Sequence, residues 1–381
     1  METPGARGLY VRSYGEVRDI LLERLAAGRN PMDDAPADET RAILDRLGTL
    51  DRERWATAFS AAAEPHYEAG LAAEAKGDRA VARREYLAAF GLFRVARYPA
   101  PNSPTKLAAY RRSQDAYFKA AAFAESAVRR VEMPYVGAMA PGAVIVAYLH
   151  RPQREGRLPV VVQWGGIDSF KEDRRPEPYL RAGFAVLAMD MPGVGDAPIP
   201  GSERGEELWN GVFDWIAGEP ELDARRVAVV GASTGGYWAA KLAHTHADRI
   251  AAAVTHGGPA HYAFQADWIA RAARGEYPFE LAETLASAFE RSSAAEWLDY
   301  APRLSLLDQG VLDRPSAPLL CVNGVDDSVF PIEDMYLLLQ HGGAKAARFF
   351  PGGHMGHSPQ LFPTIIAWLV RELSPRLGGV A

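Results

Sequence analysis

Runs of consecutive apolar residues, bounded by glycine, proline or polar turns, recur from about residue 133 towards the end of the chain. Short continuous runs of this kind are typical of parallel strands that helices cover on both faces. Helical segments separate the runs, so the alternation predicts an α/β fold with a mostly parallel, doubly wound sheet. The predicted strands are 143–149, 159–163, 184–189, 227–230, 250–254, 318–322 and 347–350.

The first 133 residues have a different pattern, rich in Ala, Arg, Glu and Leu, with apolar positions at helical spacing. One helix is predicted to begin after Asp78, because apolar side chains recur three and four residues apart from Ala82 to Phe93. A second helix is predicted over 104–130, after a proline-rich turn. No convincing internal repeat accompanies them, so we expect a helical N-terminal cap domain over 1–133.

Residues 134–381 are the predicted catalytic domain, in which a helical stretch rich in aromatic residues interrupts the alternation at about 257–315. In α/β enzymes such a segment commonly covers the carboxyl edge of the sheet, where ligands bind. We therefore expect 257–315, called the insertion below, to be a helical lid over the site.

The junction between strand 227–230 and the next helix carries the most informative motif, Gly231-Ala-Ser233-Thr-Gly235. G-x-S-x-G between a strand and a helix is the nucleophile elbow, in which the serine occupies a strained turn and glycines prevent clashes. The turn exposes the serine hydroxyl, so Ser233 is the predicted nucleophile. Neither a phosphate-loop lysine nor G-x-G-x-x-G accompanies the turn, and a nucleotide site is therefore disfavoured.

A serine hydroxyl needs a base and the base needs an orienting acid, which follow the serine as acid and then histidine. Asp327 stands in the G-x-x-D-x-x-x-P spacing of such acid loops, with Asp326 as the alternative that otherwise caps the turn. His354 directly follows two glycines after the next strand, and His357 is its alternative, which otherwise caps a helix or lines the pocket.

An oxyanion site needs two backbone donors that converge on one oxygen. We expect the N–H of Thr234 to be one donor, and the glycine-rich loop after strand 159–163 to supply the other from Gly166, with Ile167 as the alternative. The D-x-P-G-x-G turn that begins at Asp190 is predicted to hold this loop.

The composition narrows the classes of partner. Net charge is −6 with acidic and basic residues interspersed, which argues against nucleic acid. The only cysteine, Cys321, excludes an internal disulfide. The histidine pairs 354/357 and 244/246 lack a third ligand at sensible spacing, so no metal is expected. With no leader pattern at 1–7 and no membrane-spanning apolar run, we expect a soluble, cytoplasmic protein.

At these residues the chain resembles serine α/β-hydrolases from about residue 133 onwards. Three features resemble one subgroup more narrowly: the run from Gly165 to Glu172 (GGIDSFKE), the helical N-terminal region, and the insertion. That subgroup contains 2,6-dihydroxypseudooxynicotine hydrolase, the FrsA-like esterases and the fungal yellowish-green-type polyketide-shortening hydrolases.

The resemblance implies an α/β-hydrolase fold and cofactor-free cleavage of simple esters or of carbon–carbon bonds beside a ketone. It also implies N-terminal helices that contribute to the substrate cavity and to a homodimer contact. For carbon–carbon cleavage it implies an additional acid on the lid, for which Asp267 is the candidate.

We therefore expect a Ser-His-Asp triad that forms an acyl-enzyme and cleaves a carbon–carbon bond next to a ketone, in a retro-Claisen reaction on an aromatic or polyketide-like small molecule. A carboxylesterase acting on small esters, an acyltransferase with the same triad, and a non-catalytic scaffold are the alternatives. The intact triad argues against the scaffold. The candidate substrate contacts are Ile167, Asp168, His256, Tyr262, Asp267 and His357.

Overall fold

The computed structural model describes residues 9–124, 126–343 and 345–374. The segment 1–7, in which no leader pattern was found, lies outside the described residues. The chain divides into two compact units, one of Met1–Val128 with Pro278–Thr284 and the other of Arg129–Tyr277 with Leu285–Ala381.

The first unit is helical. The predicted start after Asp78 is confirmed, because the Asp78 side chain accepts a hydrogen bond from the Val81 N–H at 3.1 Å and caps the helix. The predicted apolar face, which includes Tyr86 and Phe93, is buried. The helices are α1 Tyr14–Ala26, α2 Ala37–Leu47, α3 Arg52–Ala75, α4 Arg79–Arg97 and α5 Pro104–Ala121.

The predicted helix over 104–130 is wrong at its end. The helix α5 stops at Ala121, and residues from Val128 form a strand instead. In this strand Val131 and Met133 are buried while the charged residues between and before them are exposed. Such alternation has the period of a strand, which is why a helix cannot continue through it.

The second unit contains an eight-stranded sheet among the described residues, with strand order β1-β2-β4-β3-β5-β6-β7-β8. The strand β2 runs antiparallel to β4, whereas the neighbouring pairs β4–β3, β3–β5, β5–β6, β6–β7 and β7–β8 are parallel. The strands are β1 Val128–Pro134, β2 Val144–His150, β3 Leu158–Trp164, β4 Ala185–Met189, β5 Leu222–Ala232, β6 Ala252–His256, β7 Leu319–Gly324 and β8 Lys345–Phe350. The α/β fold class with a mostly parallel sheet and all the predicted strands are confirmed.

Helices pack against this sheet and follow its strands. One face is covered by α13, whose Ile365 and Leu369 are buried in a core cluster with Val186, Val230 and Val254. The α-helices that follow β1 in the chain are α6 Glu177–Arg181, α7 Leu208–Gly218, α8 Thr234–Thr245, α9 Ala266–Ala272, α10 Leu281–Ala288, α11 Ala294–Tyr300, α12 Ile332–Leu339 and α13 Leu361–Leu373. Three of them, α9 to α11, belong to the insertion.

The register of the parallel strands gathers four loops at one edge. The ends of β5 and β6 are level, with Ala232 opposite His256, and the end of β7 is level with that of β8, with Gly324 opposite Phe350. Because the strands are parallel, the segments that leave them emerge on the same side of the sheet. No helix in the described part of the chain is both long and apolar enough to cross a membrane.

Candidate active site

Ser233 lies between β5 and α8 in a strained turn, with φ 55° and ψ −133°. Its N–H donates to the carbonyl of His256 at 2.7 Å, which ties the turn to the neighbouring strand. A Cβ on Gly231 would overlap the carbonyl oxygen of Gly235, and a Cβ on Gly235 would overlap that of Gly165. Close backbone approach therefore requires glycine on both sides of this serine.

Three side chains that are far apart in the sequence meet in one hydrogen-bonded chain. The Nε2 atom of His354 lies 2.8 Å from the Oγ atom of Ser233, and its Nδ1 atom lies 2.8 Å from the Oδ2 atom of Asp327. An ionised carboxylate only accepts hydrogen bonds, so Nδ1 carries the proton and Nε2 is the acceptor for the serine hydroxyl. This arrangement can withdraw the hydroxyl proton during attack on an electrophile.

The carboxylate of Asp327 is buried and fully engaged. Its Oδ1 accepts the backbone N–H groups of Val329 and Phe330 at 2.8 and 3.0 Å, and its Oδ2 accepts from Asn323 Nδ2 at 2.9 Å as well as from His354. Burial alone raises the pKa of Asp327, but His354 and these hydrogen bonds lower it below its ordinary value overall. The group therefore stays ionised at neutral pH and fixes the orientation of the imidazole.

The two alternatives from the sequence lie outside this chain of contacts. Asp326 is exposed, and its backbone N–H donates to the carbonyl of Gly352 at 3.0 Å. His357 is exposed as well, and its backbone N–H donates to the carbonyl of Pro351 at 2.8 Å. The geometry thus joins Asp327, and not its neighbour, to the histidine that faces Ser233.

The loop after β3 brings Gly166 against the serine. A Cβ on Gly166 would lie 2.7 Å from the Cβ of Ser233 and 2.9 Å from its Oγ, so only glycine fits. Thr234 is the first residue of α8, where backbone N–H groups have no acceptor within the helix. The backbone of Gly166 and the start of α8 both lie next to Ser233. Ile167, the alternative donor, is buried next to Gly166.

A buried ion cluster anchors this loop. The backbone N–H of Lys171 donates to Asp190 Oδ1 at 2.8 Å, and its Nζ lies 2.8 Å from Asp190 Oδ2, 2.6 Å from Asp196 and 3.0 Å from Glu172. Burial lowers the pKa of Lys171, but these carboxylates raise it well above its ordinary value. Lys171 is therefore a cation that connects the loop carrying Gly166 to the turn at Asp190.

The insertion contributes an acid that sequence reasoning missed. Glu276 accepts the backbone N–H of His354 on Oε1 at 2.6 Å, and the Ser328 hydroxyl lies 3.3 Å from the same oxygen. Asp267, the acid selected from the sequence, is 73% exposed on α9 and pairs with Arg271 at 3.0 Å. The structure thus brings Glu276, and not Asp267, to the loop that carries His354.

The remaining predicted substrate contacts have different surroundings. Asp168 is buried in the loop after Gly166. Tyr262 is exposed, and its ring packs edge-on against the ring of His261, with 4.8 Å between the ring centroids. His256 is buried, and its Nε2 lies 2.7 Å from the carbonyl oxygen of Met355. Within the described residues no group of three or more His, Cys, Asp or Glu is arranged to hold a metal ion.

Comparison with known proteins identifies the family. The sequence profile "Esterase FrsA-like" matches residues 54–369, most of the chain. This chain belongs to the FrsA-like esterase family. The resemblance stated from the motifs is therefore confirmed, and FrsA-like proteins are members of the α/β-hydrolases.

Named relatives of this FrsA-like chain are hydrolases. It is 30% identical to "Esterase FrsA" of Vibrio cholerae over 289 residues, which cover 73% of this chain and 67% of the relative. It is 32% identical to "20-hydroxy-prefusarin hydrolase FUS2" of Gibberella moniliformis over 249 residues, 61% of this chain and 58% of the relative. With "Alpha/beta hydrolase ucsC" of Acremonium sp it shares 31% identity over 257 residues, 60% and 52% of the two chains. The match thus spans little more than half the length of these two fungal relatives.

Solved structures share the fold of the FrsA-like chain. The crystal structure of 2,6-dihydroxy-pseudo-oxynicotine hydrolase superposes with a TM-score of 0.73 at 21% identity and covers 90% of this chain and 94% of that one. The protein AbyA5 superposes with a TM-score of 0.69 at 23% identity, covering 93% of both chains.

Proposed function

We propose that this FrsA-like chain is a serine hydrolase that works through an acyl-enzyme on Ser233. His354 takes the hydroxyl proton as Ser233 Oγ attacks a carbonyl carbon, and Asp327 stabilises the resulting imidazolium. The backbone N–H groups of Thr234 and Gly166 donate to the oxyanion. The observation that carries the proposal is the continuous hydrogen-bonded chain from Ser233 through His354 to Asp327, with 2.8 Å at each step.

The second half of the reaction releases the leaving group and then the acid. When the tetrahedral intermediate collapses, the bond from the carbonyl carbon to the leaving group breaks, and the imidazolium of His354 returns its proton to that group. A water molecule, deprotonated by the same imidazole, then attacks the acyl-enzyme and frees Ser233. No cofactor is needed for any of these steps.

For the bond, we propose a carbon–carbon bond next to a ketone in an aromatic or polyketide-like small molecule. A carbon leaving group departs as a carbanion, so it must be delocalised, as in a β-diketone or an acyl-phenol. The acid that the family resemblance implies for this chemistry is assigned here to Glu276, because its carboxylate bonds the backbone of His354. The fungal relative named as a hydrolase of 20-hydroxy-prefusarin supports a small-molecule substrate.

A carboxylesterase is the second candidate, and the family description "Esterase FrsA-like" favours it. Ester cleavage needs the same base and oxyanion donors but no stabilised carbanion. Glu276 then only supports the loop of His354. The two candidates differ in whether Glu276 contributes to bond cleavage beyond supporting the loop of His354.

The first experiment tests the nucleophile. Wild type and Ser233→Ala are assayed on p-nitrophenyl butyrate and on an aryl β-diketone, and both are treated with a fluorophosphonate probe. We expect Ser233→Ala to lose hydrolysis and labelling. The control, Ser374→Ala, removes a hydroxyl that bonds only the carbonyl of Val370 in the described contacts and should keep both. Near-full turnover by Ser233→Ala would refute the nucleophile.

The second experiment chooses the bond. The variant Glu276→Gln is compared with wild type on the ester and on the diketone. Carbon–carbon hydrolysis predicts a much larger loss on the diketone than on the ester. Rapid ester cleavage by wild type without release of diketone fragments would indicate an esterase.

The cytoplasmic location and the homodimer through the N-terminal helices stay predictions, and sedimentation velocity of the full chain tests the dimer.

A further inference from the structure

The backbone of Met355 is held from two sides in an unusual conformation. This residue follows His354 and has φ 69°, in the left-handed region that residues other than glycine rarely adopt. Its N–H donates to Asn323 Oδ1 at 3.1 Å, and its carbonyl accepts from His256 Nε2 at 2.7 Å. A strained residue of this kind persists only where its surroundings determine it, and here two side chains do so.

Asn323 connects the acid to the loop that carries the base. It is buried at the end of β7, and its Nδ2 donates at 2.9 Å to Asp327 Oδ2, the oxygen that also faces His354 Nδ1. Its Oδ1 accepts the N–H of Met355. One amide therefore sets the position of the carboxylate relative to the backbone next to the imidazole.

His256 connects the nucleophile to the same loop. Its backbone carbonyl accepts the Ser233 N–H at 2.7 Å, while its side chain contacts the carbonyl of Met355. A carbonyl only accepts hydrogen bonds, so Nε2 carries a proton. A Cβ on the next residue, Gly257, would lie 2.8 Å from the side chain of Met355 and 3.4 Å from His354 Cε1, so the two segments are in close contact here.

From this geometry we propose that Asn323 and His256 are positioning residues, which hold His354 between Ser233 and Asp327 by clamping the backbone of Met355. The proposal rests on the acyl-enzyme chemistry proposed above. Neither residue takes a proton from the substrate, and both act through the placement of the imidazole. Loss of either clamp should therefore lower kcat and leave KM nearly unchanged.

The first test concerns His256. We expect His256→Leu to lower kcat on p-nitrophenyl butyrate about 100-fold, the effect typical of a misplacement of about 1 Å in an active site. Glutamine reaches the position of Nε2 with an N–H donor, so His256→Gln should recover most of the loss. If the leucine variant does not fold, His256→Asn replaces it, because its amide ends short of Met355.

A matched control separates positioning from stability. His244 is also a buried histidine, and its Nδ1 lies 2.9 Å from the carbonyl oxygen of Arg314. This bond has no connection to Met355, so His244→Leu should lower the denaturation midpoint without lowering kcat. Equal losses of kcat in His244→Leu and His256→Leu would overturn the proposal.

The second test concerns Asn323. The variant Asn323→Leu should weaken the low-field proton resonance of the hydrogen bond between His354 Nδ1 and Asp327, and it should slow fluorophosphonate labelling of Ser233. A purely structural role would leave this resonance in the folded fraction unchanged. If wild type itself is not labelled at Ser233, the proposed function fails. If wild type is labelled and the folded His256→Leu and Asn323→Leu variants are labelled as fast as wild type, the proposed function stands and the positioning proposal is wrong.

Discussion

Replacing Gly166 by alanine tests the oxyanion donor most directly. The added methyl carbon would lie 2.7 Å from Ser233 Cβ and 2.9 Å from its Oγ, whereas ordinary contacts begin at 3.4 Å. The loop and the serine must separate by several tenths of an ångström, which moves the Gly166 N–H away from the oxyanion. Loss of one such donor costs about 3–4 kcal/mol of transition-state stabilisation, so we expect kcat to fall about 10²- to 10³-fold.

The assay compares kcat and KM of Gly166→Ala with those of Gly218→Ala on p-nitrophenyl butyrate. A Cβ on Gly218 meets no atom within 4 Å, so this control adds the same methyl group without a clash. Thermal denaturation shows whether each variant is folded. A folded Gly166→Ala enzyme with the kcat of wild type would refute the assignment of this loop to the oxyanion site.

Further predictions concern charge. Asp327→Asn should lower kcat about 10³- to 10⁴-fold with the fold intact, because an amide cannot orient the imidazole as the carboxylate does; stopped-flow kinetics would measure this, and a small loss would contradict it. Lys171→Met leaves buried carboxylates without their cation, so the free energy of unfolding in urea should fall by about 3–5 kcal/mol and recover in part when Asp190→Leu is added. An unchanged urea midpoint would contradict it. Burial lowers the pKa of several histidines to about 4. Between that value and about pH 6.5, these side chains bind protons in the unfolded protein but not in the folded one. The free energy of unfolding should therefore fall on acidification by up to about 1.4 kcal/mol per pH unit for each histidine. Equal urea midpoints at pH 7.5 and pH 5 would argue against this for His150, His244, His246 and His256.

The sheet was predictable because its interior strands are buried on both faces. A strand such as β4, Ala185–Met189, is apolar at every position and needs no knowledge of its neighbours to be found. The edge strand β1 was missed because charged residues interrupt its apolar positions, and the preceding helical pattern was extended through it. Tertiary pairing at the sheet edge decided the conformation there, against the local pattern.

The reacting groups were predictable for a related reason. Ser233, Asp327 and His354 each stand in a short motif whose residue spacing indicates the local geometry. The motif is either glycines around a strained turn or a loop that leaves a strand end. Asn323 and Glu276 stand in no such motif. Their partners are Met355 and the backbone of His354, dozens of residues away, so their roles depend on contacts that no local spacing records.

The two acids of the insertion illustrate the difference. Asp267 lies in the first turn of α9, where a negative charge is favourable, and pairs with Arg271 one turn later, so its charge is satisfied locally. Glu276 has no helix of its own, and its carboxylate finds donors on the loops of Ser328 and His354. The preceding residue, Gly275, approaches the Ser328 carbonyl so closely that a Cβ there would lie 2.5 Å from it. In this chain the glycine beside Glu276 allows that close approach, whereas Asp267 has no such neighbour and lies in the first turn of a helix.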